Sequence, residues 1–81
     1  MTFYDVINFF ETFSTRLKKL REEKEISVSE LASLVGINEN TIKNYEAAIS
    51  SPNAFVLYKI CICLNTTPDY LLGFDGEGKC S

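Results

Sequence analysis

Residues 3–24 contain neither glycine nor proline, and their apolar side chains recur at Phe3, Val6, Phe10, Phe13, Leu17 and Leu20. Steps of three and four place these on one face of an α-helix. Thr12 and Ser14 are residues that favour helix starts, so the stretch is either one long helix or a short leading helix followed by a second. A break near residues 12–14 is the expected arrangement.

Downstream, the apolar positions fall into shorter groups divided by residues with strong backbone preferences. Ser27-Val28-Ser29-Glu30 has the Ser-x-x-Glu form in which hydroxyl and carboxylate each satisfy an orphaned N–H at a helix start. The helix it opens carries Leu31, Ala32, Leu34 and Val35, and Gly36 is suited to the left-handed conformation that ends a helix. Ile37 is a spacer, and Asn38 caps a second helix with Ile42 and Tyr45 on its inner side. Two short helices joined in this way cross steeply, so a small residue is needed where they approach, which Ala32 supplies. Ile37 and Ile42 are placed to fill the wedge between them.

Residues 50–53 form a polar loop, after which residues 54–64 read as a helix with Asn65 placed to end it in the left-handed region. Thr67 caps a last short helix, Pro68 takes its first position and Asp69 lies near its positive end, with Gly73 as the stop. Residues 75–81 are polar and glycine-rich, the composition of a frayed terminus. No repeat is present and all recognisable order is helical. The expected fold class is all-α.

Composition narrows the function classes. The 81 residues suit one small domain, 46% hydrophobic and 23% charged, which gains stability from self-association because it buries little core. The net charge of −3 argues mildly against nucleic acid, but it is a whole-chain sum. Lys18, Lys19, Arg21 and Lys24 cluster at one place, whereas Asp69, Asp75 and Glu77 gather at another. Cys61 and Cys63 are two residues apart, on different sides of a helix, Cys80 lies in the tail, and there is no histidine. This excludes a converging ligand set, so no metal and no cofactor are expected. No apolar run approaches the ~20 residues that span a bilayer, and the start lacks the basic lead of a secretory signal. A cytoplasmic location with reduced thiols and no membrane partner is expected.

The ordered landmarks of residues 13–72 resemble the lambda-repressor-like, Cro-type (XRE) helix-turn-helix family without insertion. They are Arg16-Leu17-Lys18-Lys19-Leu20-Arg21, Glu30-Leu31-Ala32 with Val35-Gly36-Ile37, Thr41-Ile42 with Tyr45-Glu46, Ser51-Pro52, and Thr67-Pro68-Asp69-Tyr70-Leu71-Leu72-Gly73. The resemblance implies a five-helix domain over 13–73, preceded by a helical extension over 1–12 and followed by a flexible tail over 74–81. It also implies a transcriptional regulator, repressor-like, that binds double-stranded DNA through its third helix, about residues 39–47, in the major groove. Glu39, Asn40, Lys43 and Asn44 would face bases. Asn40 suits adenine, Lys43 guanine O6 or N7, and Glu39 cytosine N4. Ser27, Ser29, Asn38 and Thr41 would contact phosphates at the amide ends of the second and third helices. Arg21 and Glu46 would pair and brace the recognition helix.

Three departures from that pattern stand out. Val28 occupies a position where glutamine commonly assists the phosphate grip. Ala47-Ala48-Ile49 replaces the usual Asn-Gly and basic residue after the recognition helix. Residues 54–64 are apolar nearly all round, with Phe55, Tyr58 and Ile62 forming a second stripe that something must cover. The candidates are the leading segment, with Tyr4, Ile7 and Phe9, and a second copy of the chain. A twofold homodimer on half-sites about one DNA turn apart is expected. No nucleophile beside a base, paired carboxylates or phosphate-cradling loop is visible, so neither an enzyme nor a small-molecule substrate is expected. The rival reading is a protein-interaction module on the same scaffold, using Val28, Ala47, Ala48 and Ile49 as an apolar patch.

Overall fold

A computed structural model describes residues 3–74, with the side chains of Phe3 and Tyr4 outside that description. The expectations for Cys80, Tyr4 and the tail from residue 75 lie outside the described residues.

The expected break at residues 12–14 is absent, because α1 (Phe3–Glu23) runs through it as one helix. Ser14 is buried and its hydroxyl donates back to the Glu11 carbonyl at 3.2 Å, which keeps it inside the helix instead of capping a new one. The apolar register also continues across this point. Phe9 stacks on Phe13 at 6.3 Å and packs on the core with Leu17 and Leu20. Phe9, read from sequence as lying beyond the inner stripe, is therefore part of it, while Val6 is 40% exposed. The boundary drawn between residues 12 and 13 falls within this unbroken helix.

The four later helices follow their punctuation. Ser27 and Glu30 form the reciprocal capping box at the start of α2 (Val28–Val35). Asn38 caps α3 (Glu39–Glu46), Asn53 caps α4 (Ala54–Leu64), and Thr67 caps α5 (Pro68–Leu72) with Pro68 in the first turn. Gly36, Asn65 and Gly73 are all left-handed, at φ 84, 53 and 88°. Glu25 and Ala48 adopt the same conformation, at φ 57 and 63°, after α1 and α3. At each of these five stops the next amide reaches back five residues: Ile26 to Arg21, Ile37 to Ala32, Ile49 to Asn44, Thr66 to Cys61, and Phe74 to Asp69. Each such bond satisfies a carbonyl that the helix end would otherwise leave orphaned.

The five helices wrap one core. α1 packs on α3 and α5, while α2 bridges α3 and α4. Phe13, Leu17, Leu31, Ile42, Ile60, Leu64 and Leu71 are fully buried, and each contributes roughly 1.5–3 kcal/mol by leaving water. Phe13 meets the Tyr45 ring edge-on at 6.1 Å, tying the middle of α1 to the inner face of α3. Among the described residues no helix is long and apolar enough to cross a membrane.

A second tie between α1 and α3 is ionic. Arg21 Nε donates to one Glu46 oxygen at 2.6 Å and a terminal nitrogen donates to the other at 3.1 Å, a two-pronged geometry. Another Arg21 nitrogen donates to the Ile26 carbonyl at 2.8 Å. The side chains are only 12% and 10% exposed, and the hydrogen bond to Glu46 raises the guanidinium pKa above its ordinary value. One arginine therefore fixes both the start of the α1–α2 connection and the position of α3.

Two stability predictions follow from these ties and stops. Arg21→Ala leaves Glu46 largely buried without its partner and lowers the unfolding free energy by about 3 kcal/mol in urea titration. The apolar pair Arg21→Met with Glu46→Leu loses less than that single change. The left-handed stop at Ala48 costs an L-residue about 1–2 kcal/mol, partly offset by the extra freedom glycine has when unfolded. Ala48→Gly is thus expected to raise Tm by a few degrees, and Gly36→Ala to lower it by a similar amount.

Candidate nucleic-acid interface

At about 100° per residue, Glu39, Asn40, Lys43 and Asn44 span roughly 140° of α3, and Ile42 and Tyr45 lie opposite. The structure bears out that division, since the four polar residues are exposed and Ile42 and Tyr45 are 0% and 6% exposed. Burial raises the Tyr45 hydroxyl pKa, consistent with a neutral side chain held in the core. The inner face is fixed from two sides, by the Phe13 contact and by the Arg21–Glu46 pair. The outer face is turned to solvent and backed by these two ties.

The positions expected at phosphates are more mixed. The Ser27 amide donates to the Glu30 carboxylate at 3.0 Å, so it is already satisfied, and Ser27 Oγ accepts from the Glu30 amide at 3.0 Å. Asn38 Oδ1 accepts the Asn40 amide at 2.7 Å, and the Thr41 amide donates to the Asn38 carbonyl at 3.0 Å. The helix-start amides left to an anion are those of Val28 and Ser29 on α2 and of Glu39 on α3. Ser29 is exposed, whereas Thr41 is half-buried. Glu30 and Glu39 stand in those same first turns. Their charge favours the helix ends and opposes an incoming phosphate.

Cations near this face are few. Lys43 is the basic residue of α3. Of the α1 cluster, Lys18, Lys19 and Lys24 are exposed, but Arg21 is turned inward to Glu46 and is spent on the fold. Lys59, whose significance the sequence reading missed, is half-buried on α4 with its amine about 3.6 Å from where a Gly36 side chain would begin. It lies against the α2–α3 turn, where a cation favours the negative end of α2. A single lysine in an otherwise apolar helix was the available signal.

The four residues of the rival apolar patch differ in burial. Val28 packs against the core, Ala48 is half-buried, and Ile49 is 68% exposed with Ala47 also exposed. Leu34, 60% exposed on α2, is a further solvent-facing apolar residue that belongs to neither set.

Known proteins agree with this geometry. The family model described as helix-turn-helix (HTH_3) matches residues 17–71. The HTH-type transcriptional regulator ImmR of Bacillus subtilis (strain 168) is 34% identical over 64 residues, which cover 79% of this chain and 50% of that protein. A crystal structure of an HTH_3 family transcriptional regulator from Vibrio cholerae is similar at a TM-score of 0.74 and 28% identity, over 88% of this chain and 39% of that one. The chain thus spans half or less of the length of these two relatives. With its α2-turn-α3 unit inside the matched region, the chain belongs to the HTH_3 family of helix-turn-helix proteins, the lambda-repressor-like, XRE type.

Proposed function

We propose that this chain is the sequence-specific DNA-binding domain of a transcriptional regulator, reading the major groove with the outer face of α3 as a homodimer. The observation that carries the reading is the two-sided α3: Glu39, Asn40, Lys43 and Asn44 exposed on one side, and Ile42 and Tyr45 sealed into the core on the other. Membership of the HTH_3 family and likeness to transcriptional regulators support it. Asn40 reads adenine in a bidentate pair, Lys43 donates to guanine, Glu39 accepts from cytosine, and Asn44 completes the polar row. The free amides of Val28, Ser29 and Glu39, with the Ser27, Ser29 and Thr41 hydroxyls and the Asn38 side chain, position the backbone without reading sequence.

Charge sets the expected strength. Neutral amides and hydroxyls displace no counterions, and Glu30 and Glu39 work against phosphate, so each protomer holds DNA weakly. Two protomers on adjoining half-sites double the contacts, which is why the reading includes a homodimer. Repression is the expected sign of regulation, through occupancy of the site alone.

Selection from random duplex DNA at low and moderate salt tests the proposal, with an enriched palindrome expected and salt-sensitive attachment without enrichment counting against it. Asn40→Ala with Lys43→Ala should abolish the preference while leaving the helical circular dichroism unchanged. Each contact is worth ~1–3 kcal/mol of discrimination, so losing both costs roughly 30-fold or more in the specific-to-nonspecific ratio. Retained preference in that variant would remove these two residues as readers. Binding by few cations also predicts a shallow salt dependence, with log K against log salt falling at a slope near −0.9 per cationic contact.

A further inference from the structure

The two ties from α1 hold α3 near its end, since Phe13 meets Tyr45 and Arg21 holds Glu46, both in the last turn. The first turn, with Glu39 and Asn40, is held differently. It starts from its cap Asn38, which directly follows the Gly36-Ile37 turn at which α2 ends. Gly36 and Ile37 both donate to the Ala32 carbonyl, at 2.8 and 3.0 Å, whereas among the described residues no backbone amide reaches the carbonyls of Ser33, Leu34 and Val35. The negative end of α2 is therefore concentrated at this turn.

Lys59 stands at that place. It is half-buried in α4, the one basic residue of that helix, and its amine is about 3.6 Å from where a Gly36 side chain would begin. Among the described residues no acid pairs with it. A half-buried ammonium without a carboxylate calls for other negative charge around it, and the open carbonyls at the end of α2 supply that charge. The amine also lies over the Phe55 ring, 4.9 Å from its centre, which restricts where it can go. Phe55 belongs on sequence to a stripe that something must cover. In the structure it is 65% exposed, and the face of its ring serves the lysine.

We propose that Lys59 is a positioning residue for the reading face of α3: its cation, steered by the Phe55 ring, clamps the negative end of α2 and so fixes the turn from which α3 starts. The consequence for DNA rests on the regulator reading, whereas the clamp itself does not. Lys59 touches no base in this scheme. It acts through Gly36, Ile37 and Asn38 on the direction in which Glu39 and Asn40 leave the turn, and small displacements there are enough to spoil a base contact.

Amide hydrogen exchange of the whole chain without DNA tests the clamp, comparing the parent with Lys59→Met, which keeps the apolar stem and loses the charge, and with Lys59→Arg, which keeps the charge. Gly36 and Ile37 should exchange about two- to thirtyfold faster in Lys59→Met, the span that a cation at a helix end covers, and return to the parent rates in Lys59→Arg. The Ile26 and Thr66 amides, which close other helix ends, should not change. Phe55→Leu, at an exposed position, should move Gly36 and Ile37 the same way by less. Unchanged Gly36 and Ile37 rates in Lys59→Met, or equal acceleration at all four amides, overturn the proposal. On a selected duplex, Lys59→Met should lower the specific-to-nonspecific ratio about threefold or more while keeping the slope of log K against log salt. An unchanged ratio overturns the positioning role. A slope flattened by about 0.9, with specific and nonspecific binding weakened alike, makes Lys59 a phosphate contact and overturns it as well. A parent chain without sequence preference contradicts the proposed function, while the exchange rates still decide the clamp.

Discussion

The geometry of the helix pair depends on one residue that serves both a packing contact and a turn. Ala32 is 2% exposed within the core, and its carbonyl accepts both the Gly36 amide at 2.8 Å and the Ile37 amide at 3.0 Å. Its small side chain lets α2 lie close to its neighbours, and its carbonyl closes the left-handed turn that reverses the chain. A larger residue would push α2 away and so shift the turn, Asn38 and the whole of α3. Everything proposed for the outer face of α3 presupposes that this crossing is fixed. Phe13 and Arg21 then hold α3 from the far side through Tyr45 and Glu46.

Helix starts were legible throughout α2, α3 and α5 because serine, asparagine and threonine announce a cap by their side-chain chemistry. Helix stops were legible only where glycine or asparagine marks the left-handed residue. Glu25 and Ala48 take the same conformation with the same five-residue return bond, and neither residue type gives notice of it. Their conformation goes with the return bonds of Ile26 to Arg21 and Ile49 to Asn44, which no residue type at positions 25 and 48 announces. The false break in α1 has the converse cause. Ser14 looks like a cap, but packing of Phe9, Phe13 and Leu17 keeps the helix going and the hydroxyl turns back to Glu11.

The face of α3 could be read from periodicity alone, since two buried residues at helical spacing dictate which four must be outside. Its surroundings could not. That the Ser27 amide is consumed by Glu30, that Arg21 is withdrawn from the basic cluster, and that Val28 turns to the core all depend on tertiary contacts. Together they shift the expected affinity away from charge and toward shape, amides and the pairing of two protomers. The resemblance to lambda-repressor-like proteins located the Arg21–Glu46 pair in advance, and the structure gives it a reason: the same guanidinium also holds the Ile26 carbonyl ahead of α2.

The central claim is that the solvent-facing side of α3 is the reading surface. Titration of the isotopically labelled chain with a selected duplex, followed by amide and side-chain NMR shifts, addresses it most directly. The account predicts that Glu39, Asn40, Lys43, Asn44 and the amides of Val28 and Ser29 respond together. Shifts confined to α4, or spread evenly over exposed lysines, would contradict it.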